Sequence, residues 1–153
     1  MKTKNIALVI ALLIVLDQSI KLIINAFFFE INFEIITSFL EFKPKYNTKH
    51  SYFNVLISEN THIEFGLWFH VMFFILLQGF MLLLYNYVRT KIVSKTTMLD
   101  LAFSFQISAL ICALTGSLIW KNGTLDFIHL KPLFIFDLKD AYIIFFTILF
   151  LYR

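Results

Sequence analysis

The sequence predicts an all-α integral membrane protein. It should have four transmembrane helices, both termini in the cytoplasm, and a structured extracytoplasmic loop with room for short β-strands. Three observations lead there. First, 59% of the 153 residues are hydrophobic and only 15% charged, with a mean hydropathy of +0.81, far from the balance of a soluble globule. Second, apolar runs at about 6–28, 67–87, 98–119 and 133–152 each approach the ~20 residues that a helix needs to cross ~30 Å of hydrocarbon. Third, Lys2, Lys4, Arg89, Lys91, Lys95 and Arg153 fall in three short stretches without acids, and such stretches stay in the cytoplasm. The chain then reads as a single membrane domain, 1–153, with an outer loop at about 30–65 and a polar bridge at about 121–141, both on the outer side.

The same numbers exclude other classes. A net charge of +3, scattered over helix ends, leaves no basic stripe for nucleic acid. Cys112 is the single cysteine, so no disulfide or paired-cysteine metal site forms within the chain, and inside an apolar run it packs as a small hydrophobe. His50, His62, His70 and His129 share no ligand spacing, so no metal is expected.

The first run opens as a secretory leader would, with MKTKNIALVIALLIVL. The residues after Leu16 argue against cleavage. Asp17, Gln18 and Lys21 come next and no small-residue cleavage site appears, so the run is read as an uncleaved spanning helix. Asp17 and Lys21 stand four apart with the acid first, the favourable order for an intrahelical pair. Charges at bilayer depth are costly and face the bundle interior. They either neutralise one another or orient a site.

Between Glu30 and Phe65, five glutamates, three lysines, two histidines and Pro44 interrupt the apolar pattern, which marks an aqueous or interfacial segment. Within it Leu40, Glu41, Phe42 and Lys43 alternate apolar and polar, a short half-buried strand ended by Pro44. In the second run His70 has no second ligand at helical spacing and reads as an interfacial or bundle-facing residue. In the third, Thr115, Gly116 and Ser117 are small enough for close helix approach.

The bridge KNGTLDFIHLKPLFIFDLKDA, 121–141, holds three of the ten acidic residues, Asp126, Asp137 and Asp140. Asp137 or Asp140, at the start of the last run, fits an N-cap or first-turn acid. Close carboxylates also have a catalytic use, because two that cannot both ionise share one proton. Such a pair deprotonates a water that attacks a peptide carbonyl and protonates the leaving amine. On spacing alone both readings stand. Ser117 lacks His and Asp partners at its depth, so serine chemistry is not expected.

Four blocks, in order, resemble the lipoprotein signal peptidases (signal peptidase II). DQSIK at 17–21 is similar to that family's D-Q-x-x-K, and YNTKHSYF at 46–53 to its N-T-G-x-x-F. GSLIWK at 116–121 with LDFI at 125–128 is similar to G-N-L-I-D-R and V-D-F, and FDLKDA at 136–141 to F-N-x-A-D-[SA]. The departures are Lys49 for Gly, Ser117 for Asn, Trp120 for Asp, Lys121 for Arg, Asp137 for Asn and Lys139 for Ala. Lys cannot form the bidentate fork of Arg.

The resemblance implies a four-helix membrane aspartyl endopeptidase with no cofactor and no metal, and a catalytic dyad at Asp126 and Asp140. Asp17, Lys21, Asn47, Ser117, Lys121 and Asp137 would orient the dyad or bind substrate. The implied partners are membrane lipids and prolipoproteins carrying a diacylglyceryl-cysteine, cleaved before that cysteine by a monomer whose site faces outward from the bacterial cytoplasmic membrane. The rival reading is an inactive relative that binds lipidated or signal-peptide segments. A transporter subunit ranks last, because only the first run carries an acid and a base at depth. From the sequence, replacing the extra acid Asp137 by Asn is expected to be mild.

Overall fold

The computed structural model describes residues 2–49, 52–91, 96–120 and 122–152. Lys121, His50, Lys95 and Arg153 lie outside them. In order, the elements are α1 (Thr3–Ile23), which passes into a π-helical turn (Ile24–Phe28), β1 (Phe33–Ile36), β2 (Leu40–Asn47), α2 (Tyr52–Thr61), α3 (Leu67–Lys91), α4 (Thr96–Ile119), β3 (Thr124–Leu130), β4 (Phe134–Phe136) and α5 (Leu138–Leu151). They form two compact units, one of Met1–Gln18, Phe73–Ala113 and Leu138–Arg153, the other of Ser19–Met72 and Leu114–Asp137.

Three helices among the described residues are long and apolar enough to cross a membrane, at Thr3–Phe28, Leu67–Lys91 and Thr97–Ile119. The first and second bury 11% and 17% of their apolar windows, against 61% for the third, so α4 is the interior helix while α1 and α3 turn most of their side chains outward. The expected fourth run divides instead. Phe134–Phe136 pairs with β3, so helix starts only at Leu138, and α5 has 14 residues, or ~21 Å at ~1.5 Å per residue.

In the first unit α4 supplies small residues and one large aromatic. Ala109 and Cys112 are buried with Tyr142 of α5, against Leu13, Ile14, Phe105 and Leu138. Cys112, fully buried, is packing as expected. Phe103 lies within ring contact of Tyr85, Phe146 and Phe150, at 5.0, 5.4 and 5.9 Å. The hydroxyls of Ser104 and Ser108 donate to the carbonyls of Asp100 and Ser104, each at 2.7 Å, which satisfies them without water. Asp100, near the start of α4, is a further fully buried acid. It accepts from the Tyr85 hydroxyl at 2.7 Å and lies 3.9 Å from Arg89, near the end of α3.

The second unit is built on an antiparallel sheet in the order β1-β2-β3-β4. One face buries Leu125 and Phe127 with Ile24, and Phe29, Phe42, Tyr46 and Trp120 pack around them. Pro44 does not stop the strand. β2 runs through it with a register shift between Phe42 and Lys45, because a residue without a backbone N–H is tolerated at such an irregularity. The loop beyond β2 is tied by Asn54, whose amide nitrogen donates to the carbonyls of Lys49 and Phe65 at 2.9 and 3.1 Å, while its oxygen accepts from Phe65 N–H at 2.9 Å. His70 is buried with Nδ1 3.0 Å from the Gly66 carbonyl.

Charges cross the sheet where its strands turn. Glu41 sits opposite His129, with Nδ1 and Oε2 3.1 Å apart, and Lys131 lies 2.7 Å from Glu34 and 3.7 Å from Glu41. The His129 hydrogen bond, aided by Lys131 and Lys43, holds the Glu41 carboxyl below its ordinary value of 4.5. A lowered carboxyl adds stability above its unfolded value and loses it as pH falls through the folded value. Thermal unfolding in detergent should therefore show wild type above Glu41→Gln at pH 6 and the two converging as pH falls below 4.5 and through the lowered value. A gap that persists in acid would mean the carboxylate is not the source.

Candidate active site

Asp126 stands in β3, and three features hold it. Its neighbours in the strand, Leu125 and Phe127, are buried, and Asp126 itself is only 4% exposed. The Asn47 amide donates to Asp126 Oδ2 at 3.0 Å, while the Asn47 oxygen accepts from Lys49 N–H at 3.1 Å, so the amide can turn only one way. Gly123, with φ +96°, lets the chain enter β3 close to β2, because a Cβ there would meet the Asn47 carbonyl oxygen at 2.4 Å. Only glycine serves both the backbone angle and the close approach.

Gly116, near the end of α4, has a comparable role. A Cβ at that position would lie 2.4 Å from Thr124 Cγ2, so the small residue lets α4 close on the first residue of β3. Ser117 beside it is 6% exposed, and its hydroxyl has no hydrogen-bond partner among the described residues. Lys121, predicted as a binding residue, lies outside those described.

Asp137 directly precedes α5 and is almost fully buried. Lys21 Nζ meets its Oδ2 at 2.6 Å, with neither side chain exposed. The carboxylate of Asp137 also comes within 4.8 Å of that of Asp126. The extra acid thus has a buried cation from α1 beside it. Asp126 and Asp137 are near enough to share a metal ion, yet the Asn47 amide already donates to the first and the Lys21 ammonium lies against the second. Asp140 lies in the first turn of α5, with its side chain 40% exposed and 3.6 Å from Lys139 Nζ. Asp17, one turn before Lys21, is fully buried and accepts from the Gln18 amide at 2.8 Å.

Two of the departures from the resembled motifs, Trp120 and Lys49, find partners within the second unit. Trp120 faces the Tyr46 ring at 6.4 Å within the sheet core. Lys49 pairs with Glu64 and donates to Ser58 Oγ at 3.2 Å. Sequence reasoning passed over Lys45, which pairs directly with Asp126 across β2 and β3. Its only signal was its place two residues before Asn47.

The family model for signal peptidase (SPase) II, Peptidase_A8, matches residues 9–153. The chain belongs to the signal peptidase II family. It is thereby placed among the lipoprotein signal peptidases, hydrolases of the protease class with transmembrane helices. Two solved structures share its fold, both of a bacterial membrane enzyme obtained by the in meso method. The one at 1.9 Å has a TM-score of 0.70 at 18% identity, covering 99% of this chain and 93% of its own. The one at 2.3 Å has a TM-score of 0.69 at 18% identity, covering 99% and 88%. No curated protein sequence matches the chain.

Proposed function

We propose that this signal peptidase II is an aspartyl endopeptidase that removes signal peptides from diacylglyceryl-modified prolipoproteins, cutting before the lipidated cysteine. Asp126 and Asp140 form the working pair. One carboxylate takes a proton from water, the water oxygen bonds to the carbonyl carbon, and the other carboxylic acid gives its proton to the leaving amine as the C–N bond breaks. Neither a metal nor a covalent intermediate is needed. The observation that carries this reading is Asp126 itself, a buried carboxylate fixed by Asn47 in a strand that also lines a cavity.

Contacts support roles for three residues: Lys21 neutralises Asp137, Asn47 orients Asp126, and Ser117 offers a hydroxyl to substrate. Asp17 lies one turn before Lys21, and the resemblance gives Lys121 the part of a cation for substrate. The helix count and direction belong to the same proposal. α5 is the fourth crossing, its short length met by local thinning of the bilayer, and both termini lie in the cytoplasm of a bacterium. The sheet and α2 then face outward over the inner membrane, where a monomer receives its substrate.

The test is a gel shift with purified protein in detergent, on one prolipoprotein prepared with and without the diacylglyceryl group. Cleavage of the modified form alone is expected. Absence of cleavage across several precursor sequences would sink the peptidase reading.

A further inference from the structure

A cavity of about 350 Å³ opens beside Asp126, lined by Lys45, Asn47, Thr48 and Lys49 on one side and by Leu133, Phe134 and Ile135 on the other. Its polar groups are unequally committed. Asn47 uses its amide nitrogen on Asp126 and its oxygen on Lys49 N–H. The Lys49 ammonium is held by Glu64 and Ser58. Lys45 is exposed and has no ion-pair or hydrogen-bond partner among the described residues. The cavity therefore offers one free cation, among the described residues, next to one buried acid, facing an apolar wall whose Leu133 is 63% exposed.

We propose that Lys45 forms a specificity subsite for an acidic side chain in the substrate, within the first two residues after the lipidated cysteine. This rests on the peptidase reading above. The register sets the distance. Lys45 and Asp126 are directly opposite in an antiparallel pair, so their side chains leave the same face with Cβ atoms ~4.5–5.5 Å apart. A substrate in extended form rises ~3.3 Å per residue, which brings a side chain to Lys45 within about two residues of a bond attacked at Asp126. Polarity decides the side of the bond. The signal-peptide side of the substrate is apolar, whereas Lys45 and Thr48 lie on the polar rim of the cavity, the surroundings that suit the mature side. Leu133 and Phe134 would hold the apolar part of the same segment. An acid at that place also needs this cation for a second reason, since without it two anions would face one another across the cavity.

The experiment uses the full-length protein in uncharged detergent with three diacylglyceryl-modified peptides that differ only in the two residues after the cysteine, Glu, Gln or Lys. In wild type, kcat/KM should fall in the order Glu, Gln, Lys, by about three- to tenfold across the series, the range of a partly screened ion pair. The spread should narrow as salt is raised. Lys45→Gln should flatten the order and Lys45→Glu should reverse it. An order retained in Lys45→Gln, or no order in wild type, would overturn the subsite. So would a preference that appears only when anionic lipid is added, because Lys45 would then serve a headgroup. If none of the peptides is cut, the peptidase reading falls instead. Fluorescence anisotropy of the uncut peptides then decides the subsite, a charge order that inverts in Lys45→Glu supporting it and the absence of one overturning it.

Discussion

Asp126→Asn and Asp140→Asn are each expected to lower cleavage of a modified prolipoprotein by about 10²–10⁴-fold, the contribution of a positioned general acid or base. The amide is nearly isosteric with the carboxylate, so the fold should survive. At position 126 the new side chain still offers an oxygen to the Asn47 amide, which in the native protein donates to Asp126 Oδ2 at 3.0 Å. Thermal unfolding in detergent, measured beside the gel shift, separates lost chemistry from lost structure. The alternative partner for Asp126 is Asp137, whose carboxylate comes within 4.8 Å of it. Its ion pair with Lys21 argues against that role, because a buried ammonium already meets the carboxylate at 2.6 Å. Retained cleavage in Asp140→Asn together with unchanged stability would remove Asp140 from the dyad.

Asp137→Asn is expected to destabilise the protein by about 3–5 kcal/mol, the penalty of breaking a buried ion pair from one side. From the sequence, an amide at this position looks harmless, because the resembled family has Asn there. The structure gives the carboxylate a partner that the sequence did not show. Lys21 and Asp137 are both fully buried, and the amide would take from the ammonium the carboxylate that meets it at 2.6 Å. Lys21→Met should be comparably damaging for the mirror reason, whereas Lys21→Met with Asp137→Asn should recover much of the loss, since it removes both charges together. Denaturation midpoints of the four proteins in one detergent form a double-mutant cycle. Losses that simply add would show that the two residues do not hold each other.

The pair also shows how far local patterns reach. The order of Asp17 and Lys21, four residues apart on α1, suggests a bond within the helix. The structure also brings Asp137 to Lys21, from 116 positions away in the sequence. A helix fixes which residues share its face but not what packs on that face, so an ion pair between elements leaves no periodic trace.

What the sequence determined by itself is the part that depends on composition and short spacing. Long apolar runs must satisfy their backbone internally and so form helices, and α1, α3 and α4 were legible for that reason. The motif order placed Asp17, Lys21, Asn47, Asp126 and Asp140 as candidates, and family membership agrees with the resemblance that named them. Only the tertiary structure decided the sheet. β3 carries Asp126, yet its pairing with β2 joins residues such as Asn47 and Thr124 across 77 positions. β4 shortened the last apolar run, because three of its residues gain ladder hydrogen bonds that a helix would forgo. Pro44 sits within β2 because the register shift beside it demands no N–H. The Lys45 subsite likewise exists only through register, since Lys45 and Asp126 become neighbours when two distant strands pair.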